Sequence, residues 1–438
     1  MRAHALDREI LRLAFPALLT LVAEPLFLLA DAAIVGHLGT PQLAGLGVAG
    51  VVLQTAVGLC IFLAYGTTAS VSRSLGAGDL RRALALGVDG LWLAVPVGVV
   101  ATLAGVLAAG PLVRLFGADD SVNGHAATYL RIGSLGITPL LLMLAATGVL
   151  RGLQDTRTPL VVAVAGFALN AGLNLVLVYP AGLGIAGSAL GSVLAQVAMA
   201  AALVVTVVRG GKRHGASLAP DRAGILAAAR AGIPLVVRTL TLRAALLVMT
   251  YAVVVAVDGD SADLAAHQLA FTIWGFLAFV LDAIAIAAQA LTGRHLGAGD
   301  AAEARAVTRR MIGWGWVSGV VTGLGIAAVS PLLPALFSSD DAVRDLLVPV
   351  LLVIAAGQPL CGAVFVLDGI LIGAGDGTYL AWAGLAVLVV FAPVVLTVAG
   401  TVGGLLAVWV AFSVLFMGAR AVVLLTRARG NAWLVLGT

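Results

Sequence analysis

Charge is scarce in this sequence. Asp, Glu, Lys and Arg together make up 11% of its 438 residues, against about a quarter in an ordinary soluble domain. Cysteine is scarcer still, with only Cys60 and Cys361 present. Two thiols give no disulfide framework and no metal site by themselves. Both lie in apolar stretches, where a free cysteine behaves as a small hydrophobe, so buried packing is their expected role. The chain has no H-E-x-x-H helix, no Walker loop and no nucleophile elbow. ATP is thereby excluded as the direct energy source, and an ion gradient is the option left. One apparent motif fails on context. Gly182 to Gly187 spells GLGIAG, but it follows no strand, has no acid about 20 residues on, and joins two apolar runs. It reads as a loop.

What the chain does have is length without polarity. Hydrophobic residues make up 61% of it, and the mean hydropathy is +1.11. Apolar runs of about 20 residues, each long enough to span a bilayer, recur near residues 11–35, 44–71, 84–110, 127–151, 159–179, 185–208, 231–256, 264–291, 308–330, 347–372, 378–398 and 403–426. The first run is too long for a cleavable signal and lacks a small-residue cleavage site. The expected fold is therefore an all-α polytopic membrane protein with twelve transmembrane helices. Glycine is abundant (54 residues), which in a membrane signals close helix packing.

The pI near 9.5 has a topological explanation. Of the 25 Lys and Arg, three (Arg114, Arg131, Arg344) fall on one side and two (Arg238, Arg243) inside a span. The other 20 fall at the termini or in loops on the opposite side. The positive-inside rule then puts both termini in the cytoplasm of a multi-pass cell-membrane protein, and no nucleic-acid partner is implied.

The chain repeats itself. RSLGAGD at Arg73 returns as RHLGAGD at Arg294, LFGADDSV at Leu115 as LFSSDDAV at Leu336, and Asp155 answers Asp376, all at an offset of 221. A duplicated unit of about 210 residues follows, giving a six-helix lobe at 1–208, a cytoplasmic linker at 209–222 and a second six-helix lobe at 223–438. An even number of spans per unit makes the two lobes parallel repeats, the arrangement of transporters that carry substrate between their halves. Duplication alone would also suit a passive channel.

Polar residues inside the spans are the functional candidates, since an ionisable group at membrane depth is costly. In the first lobe these are Glu24, Asp31, Asn170, Asn174 and Ser192. Helical rise puts Asp31 and Asn174 about 8 Å below the outer surface, with Asn170 one turn deeper and Ser192 roughly 10 Å down. Four oxygen-bearing side chains thus share one layer, as a proton or small-cation site requires. Interhelical hydrogen bonding is the plain alternative for the two asparagines. Glu24 precedes Pro25, which denies the Leu21 carbonyl its helix partner; a bend there would give a protonated acid room. In the second lobe Arg238, Arg243, Asp282 and Asp368 lie at similar inner depth and are expected to pair as a charge network, structural or gating. His267 with Gln268 reads either as a substrate contact or as a packed polar pair.

The stretches FPALLTLVAEPLFLLADAAIVGHLGT, SRSLGAGD, GVLRGLQDTRTPL and AIAAQALTGRHLGAGD resemble the multidrug and toxic compound extrusion (MATE) family in its DinF-like branch, over essentially the whole chain. The resemblance implies a V-shaped pair of lobes and a secondary antiporter that exports organic, often cationic and amphipathic, compounds in exchange for H⁺ or Na⁺. It implies no organic cofactor, a monomer in the lipid bilayer, and no enzyme activity. By this resemblance Asp31 is the essential acid of the first span, Asn170 the asparagine of the cation cluster, and Ser192 stands for a threonine. Asn174 departs from it, since relatives often carry an aspartate there; a Na⁺ site at Asp31, Asn170, Asn174 and Ser192 is weakened, and proton carriage falls on Asp31 with Glu24 assisting. LDGILIGAGD resembles the branch's tenth-span pattern and supports a role for Asp368. A lipid-linked precursor flippase of the wider superfamily is the alternative reading, and an intramembrane enzyme is disfavoured because no loop gathers catalytic groups.

Overall fold

The computed structural model describes residues 2–437, and among them every regular element is a helix. In chain order these are α1 (Arg2–Gly36), α2 (Thr40–Leu59), α3 (Phe62–Gly76), α4 (Leu80–Arg114), α5 (Asp120–Ser134), α6 (Ile137–Gly152), α7 (Arg157–Val178), α8 (Gly184–Arg213), α9 (Arg222–Ala256), α10 (Ser261–Gly297), α11 (Ala301–Val329), α12 (Leu333–Phe337), α13 (Asp341–Gly373), α14 (Gly377–Thr401), α15 (Leu405–Ala411) and α16 (Met417–Arg429). A π-helical turn, Phe412–Phe416, joins the last two. Eleven stretches are long and apolar enough to cross a membrane, α2 and α3 counting as one. The pair α5 and α6, bent by 48° between them, makes the twelfth. The chain is a multi-pass membrane protein with the expected span count.

The repeated LGAGD segments are helix punctuation. Gly78 and Gly299 sit at φ 80° and 76°, the left-handed region that ends helices and that glycine enters without strain. The aspartate that follows caps the next helix. Asp79 Oδ1 accepts from the Arg82 N–H at 2.8 Å, and Asp300 Oδ1 accepts from that of Glu303 at 2.9 Å. The pair Asp155 and Asp376 has diverged. Asp155 Oδ1 accepts from the N–H groups of Arg157 and Thr158, whereas Asp376 pairs with the Arg427 Nε at 2.6 Å.

Contacts divide the chain into two units, one of residues up to Ala14 together with Pro234–Gly437, the other Phe15–Ile233. These bounds differ from the 208 and 223 limits expected from the repeat, because two long helices each serve both units. The first turns of α1 are held in the first of these units. Asp7 accepts from Arg310 Nε and Nη2 at 2.6 and 2.5 Å and from Trp314 Nε1 at 2.8 Å, and Arg294 donates to Glu9 at 2.8 Å. Conversely, Ile225, Ala228 and Ala229 at the start of α9 pack on the core around Leu63, Val71 and Val149. Residues 209–213, at the head of the expected linker, finish α8. The rest is clasped to α4, with the Trp92 Nε1–H donating to the Leu218 carbonyl at 3.0 Å and the Asp221 N–H to Asp89 Oδ1 at 3.3 Å. Each helix has a proline at the division, Pro16 in α1 and Pro234 in α9, where one main-chain hydrogen bond is missing.

Candidate functional site

In the unit Phe15–Ile233, α1, α5, α7 and α8 bring polar side chains together in an otherwise apolar interior. Asn170 and Asn174 are one turn apart on α7 and face the same way, as do Ser188 and Ser192 on α8. The two helices close tightly because α8 presents glycine. A Cβ on Gly187 would lie 2.6 Å from the Leu177 carbonyl oxygen, and one on Gly191 only 2.1 Å from Asn174 Oδ1. The GLGIAG segment is the turn before this contact, with Gly182 and Gly184 at positive φ.

Three donors converge on Asp31, whose residue surface is only 3% exposed. Asp31 Oδ1 accepts from Ser188 Oγ at 2.5 Å and from Asn174 Nδ2 at 2.8 Å, and Oδ2 accepts from the Tyr129 hydroxyl at 3.1 Å. The chain continues inward. Asn174 Nδ2 also donates to Asn170 Oδ1 at 3.1 Å, and Asn170 Nδ2 donates to Ser192 Oγ at 3.0 Å. All six residues are buried. Asn174 Oδ1 is buried without a hydrogen-bond partner. The arrangement is built for the ionised carboxylate, because every contact to Asp31 comes from a group that donates. The hydroxyls of Tyr129 and Ser188 can turn and accept instead, so the same shell can serve the protonated acid.

The structure thus gathers Asp31, Asn170, Asn174 and Ser192 and adds Tyr129 and Ser188. Ser188 lies four residues before Ser192, a spacing the sequence displayed. Tyr129 is one of only five tyrosines in the chain, yet nothing local tied it to the first span. Glu24 is not part of the cluster. It lies two turns away on α1 with an exposed side chain, and no hydrogen bond joins it to the described residues of the site.

In the unit containing Pro234–Gly437, Arg238 Nη2 is paired directly with Asp368 Oδ2, and Arg420 Nη2 approaches Asp368 Oδ1 at 3.6 Å. Arg420, on α16, is not among the residues expected here from the sequence, and it belongs to this cluster. Among the described residues Arg243, five residues beyond Arg238, forms no ion pair, so the cluster centres on Arg238, Asp368 and Arg420. His267 is packed rather than open. It is buried among the rings of Phe271 and Trp409, with Nε2 3.4 Å from Thr250 Oγ1. Both cysteines are free and buried. Among the described residues no group of three or more His, Cys, Asp or Glu side chains could hold a metal ion.

A bundle of membrane-spanning helices, with its acid buried among donors, defines a transporter-like protein. Comparison with known proteins gives the family. The MatE family profile matches residues 16–176 and 234–397, and the chain belongs to that family, whose members are transporters and not enzymes. It is 30% identical over 430 residues to Protein DETOXIFICATION 44, chloroplastic, of Arabidopsis thaliana, covering 94% of this chain and 80% of that one. It is 26% identical over 376 residues to DNA damage-inducible protein F of Escherichia coli, covering 85% and 82%. Its fold matches the Vibrio cholerae MATE transporter VcmN in the bent form with a TM-score of 0.88 at 20% identity, covering 98% of this chain and 99% of that one.

Proposed function

We propose that this transporter exports organic compounds across the cell membrane in exchange for protons, with Asp31 as the proton carrier. The observation that carries the reading is the convergence of Tyr129, Asn174 and Ser188 on one buried carboxylate. A group that is charged at one stage and neutral at another couples two fluxes, and this shell can serve both forms. Na⁺ is the weaker candidate. It would need the lone pairs that the three donors now occupy, and Asn174 turns its amide nitrogen, not its oxygen, toward the acid. Glu24 sits outside the cluster and takes at most an assisting role. The protein works as a monomer with both termini cytoplasmic, and its two six-span repeats supply its two lobes.

The test is substrate-driven proton movement in everted vesicles at matched expression, with and without Na⁺. Asp31→Asn should fold, because a neutral amide costs less to bury than a charge, and should lose extrusion driven by a pH gradient. Transport by Asp31→Asn at the wild-type rate would falsify the carrier role. Transport that follows an imposed Na⁺ gradient alone would replace the proton by sodium.

A further inference from the structure

The Arg420 guanidinium has more hydrogen-bonding capacity than the protein around it uses. It lies seven residues, about 10 Å of helical rise, before Arg427, whose Nε and Nη2 are paired with Asp376. Its side chain is 14% exposed. Its distance to Asp368, 3.6 Å, is an ion-pair distance and too long for a hydrogen bond. It also lies over the Phe416 ring, whose centroid is 5.8 Å from Cζ. Among the described residues it makes no hydrogen bond, although a guanidinium carries five N–H donors. Leaving such donors dry inside a membrane is costly.

The donors face a small cavity. Arg238, Thr241, Asp368 and Arg420 line its polar side, and Leu380 and Phe416 are among the residues that close it. Arg238 and Arg420 bring two guanidiniums to it and Asp368 one carboxylate. Its volume is about 30 Å³, room for roughly two waters on the usual measure. The π-helical turn Phe412–Phe416 ends four residues before Arg420 on the same span, and such turns occur frequently at functional sites.

We propose that this cavity is a binding site for a small monovalent anion of halide size, held by Arg420 with Arg238 beside it. The anion accepts the hydrogen bonds that Asp368 is too distant to take from Arg420. The site is separate from the Asp31 cluster and does not depend on the proton reading.

Two measurements on the purified full-length protein test it. Crystals grown in sodium bromide should show an anomalous peak at the bromine edge beside the Arg420 guanidinium. Thermal unfolding in sodium chloride or bromide should have a midpoint about 2 °C or more above that in sodium gluconate at equal ionic strength, as expected for a ligand well above its dissociation constant. Arg420→Gln should abolish that difference. A bromide crystal with no anomalous peak in the cavity means that water alone fills it, and overturns the proposal. A halide shift that persists in Arg420→Gln overturns it as well. If Arg420→Gln does not fold, the bromide peak in the wild-type protein decides alone.

Discussion

Single atoms decide what the Asp31 cluster can do. Hydrogen bonds to a charged group are worth about 1.5–3 kcal/mol each, so Tyr129→Phe and Ser188→Ala should each keep the fold and lower proton-coupled extrusion by about tenfold. Rates in vesicles at equal protein density check this, and a wild-type rate in both variants would mean that these hydroxyls do not support the acid. The Arg238–Asp368 pair behaves differently. Removing one partner of a buried pair strands the other, at a cost of about 3 kcal/mol. Asp368→Asn should therefore destabilise more than the double change Arg238→Gln with Asp368→Asn. Strictly additive losses of thermal stability would show that the two do not interact. At this scale the sequence was partly legible. Helical rise alone put Asp31, Asn170, Asn174 and Ser192 in one layer, since a straight helix converts residue number into depth. It could not show Tyr129, because which face of the bent fourth span meets α1 is set by tertiary packing. Nor could it separate Arg420 from Arg427 and Arg429, the basic residues that end the same helix.

Among the elements, the contact of α7 with α8 is the one on which the site most depends. Asn174 reaches Asp31 only because α8 has no side chain at position 191. Gly191→Ala would put a methyl 2.1 Å from Asn174 Oδ1 and 3.2 Å from the Asn174 backbone nitrogen. Overpacking of this kind typically costs about 1–3 kcal/mol, and here it would also turn the amide away from the carboxylate. The variant should melt lower and lose transport. Gly172→Ala is the control, since nothing lies within 4 Å of a Cβ there, and it should match the wild type. Equal behaviour of the two variants would remove the close approach from the mechanism. In the sequence these two glycines look alike, because abundant small residues announce that helices pack closely without saying which ones touch.

For the whole molecule, the duplication predicts sidedness. Cysteines introduced at Gly78 and Gly299, in the matching loops after α3 and α10, should both react with an impermeant thiol reagent from the cytoplasmic side. Reaction from opposite faces would overturn the parallel arrangement. The repeat was readable because its capping glycines and aspartates are local chemistry, the same in both copies. Where one compact unit stops and the other starts was not. That boundary depends on what residues 4–14 and 222–233 pack against, and both segments look like ordinary starts of a membrane helix.

These two segments make the halves of the chain borrowers from each other. The unit Phe15–Ile233 ends with eleven residues, 223–233, that lie beyond the first repeat and the linker, and the other unit begins with residues up to Ala14 from the opposite end of the chain. Such reciprocal exchange makes each unit depend on both halves of the chain. A chain cut within 213–221 gives two fragments that each carry a piece of the other's core. Expressed alone, each fragment should be degraded or aggregate; expressed together, they should assemble and transport, because the exchange needs both strands of the clasp and not the peptide bond between them.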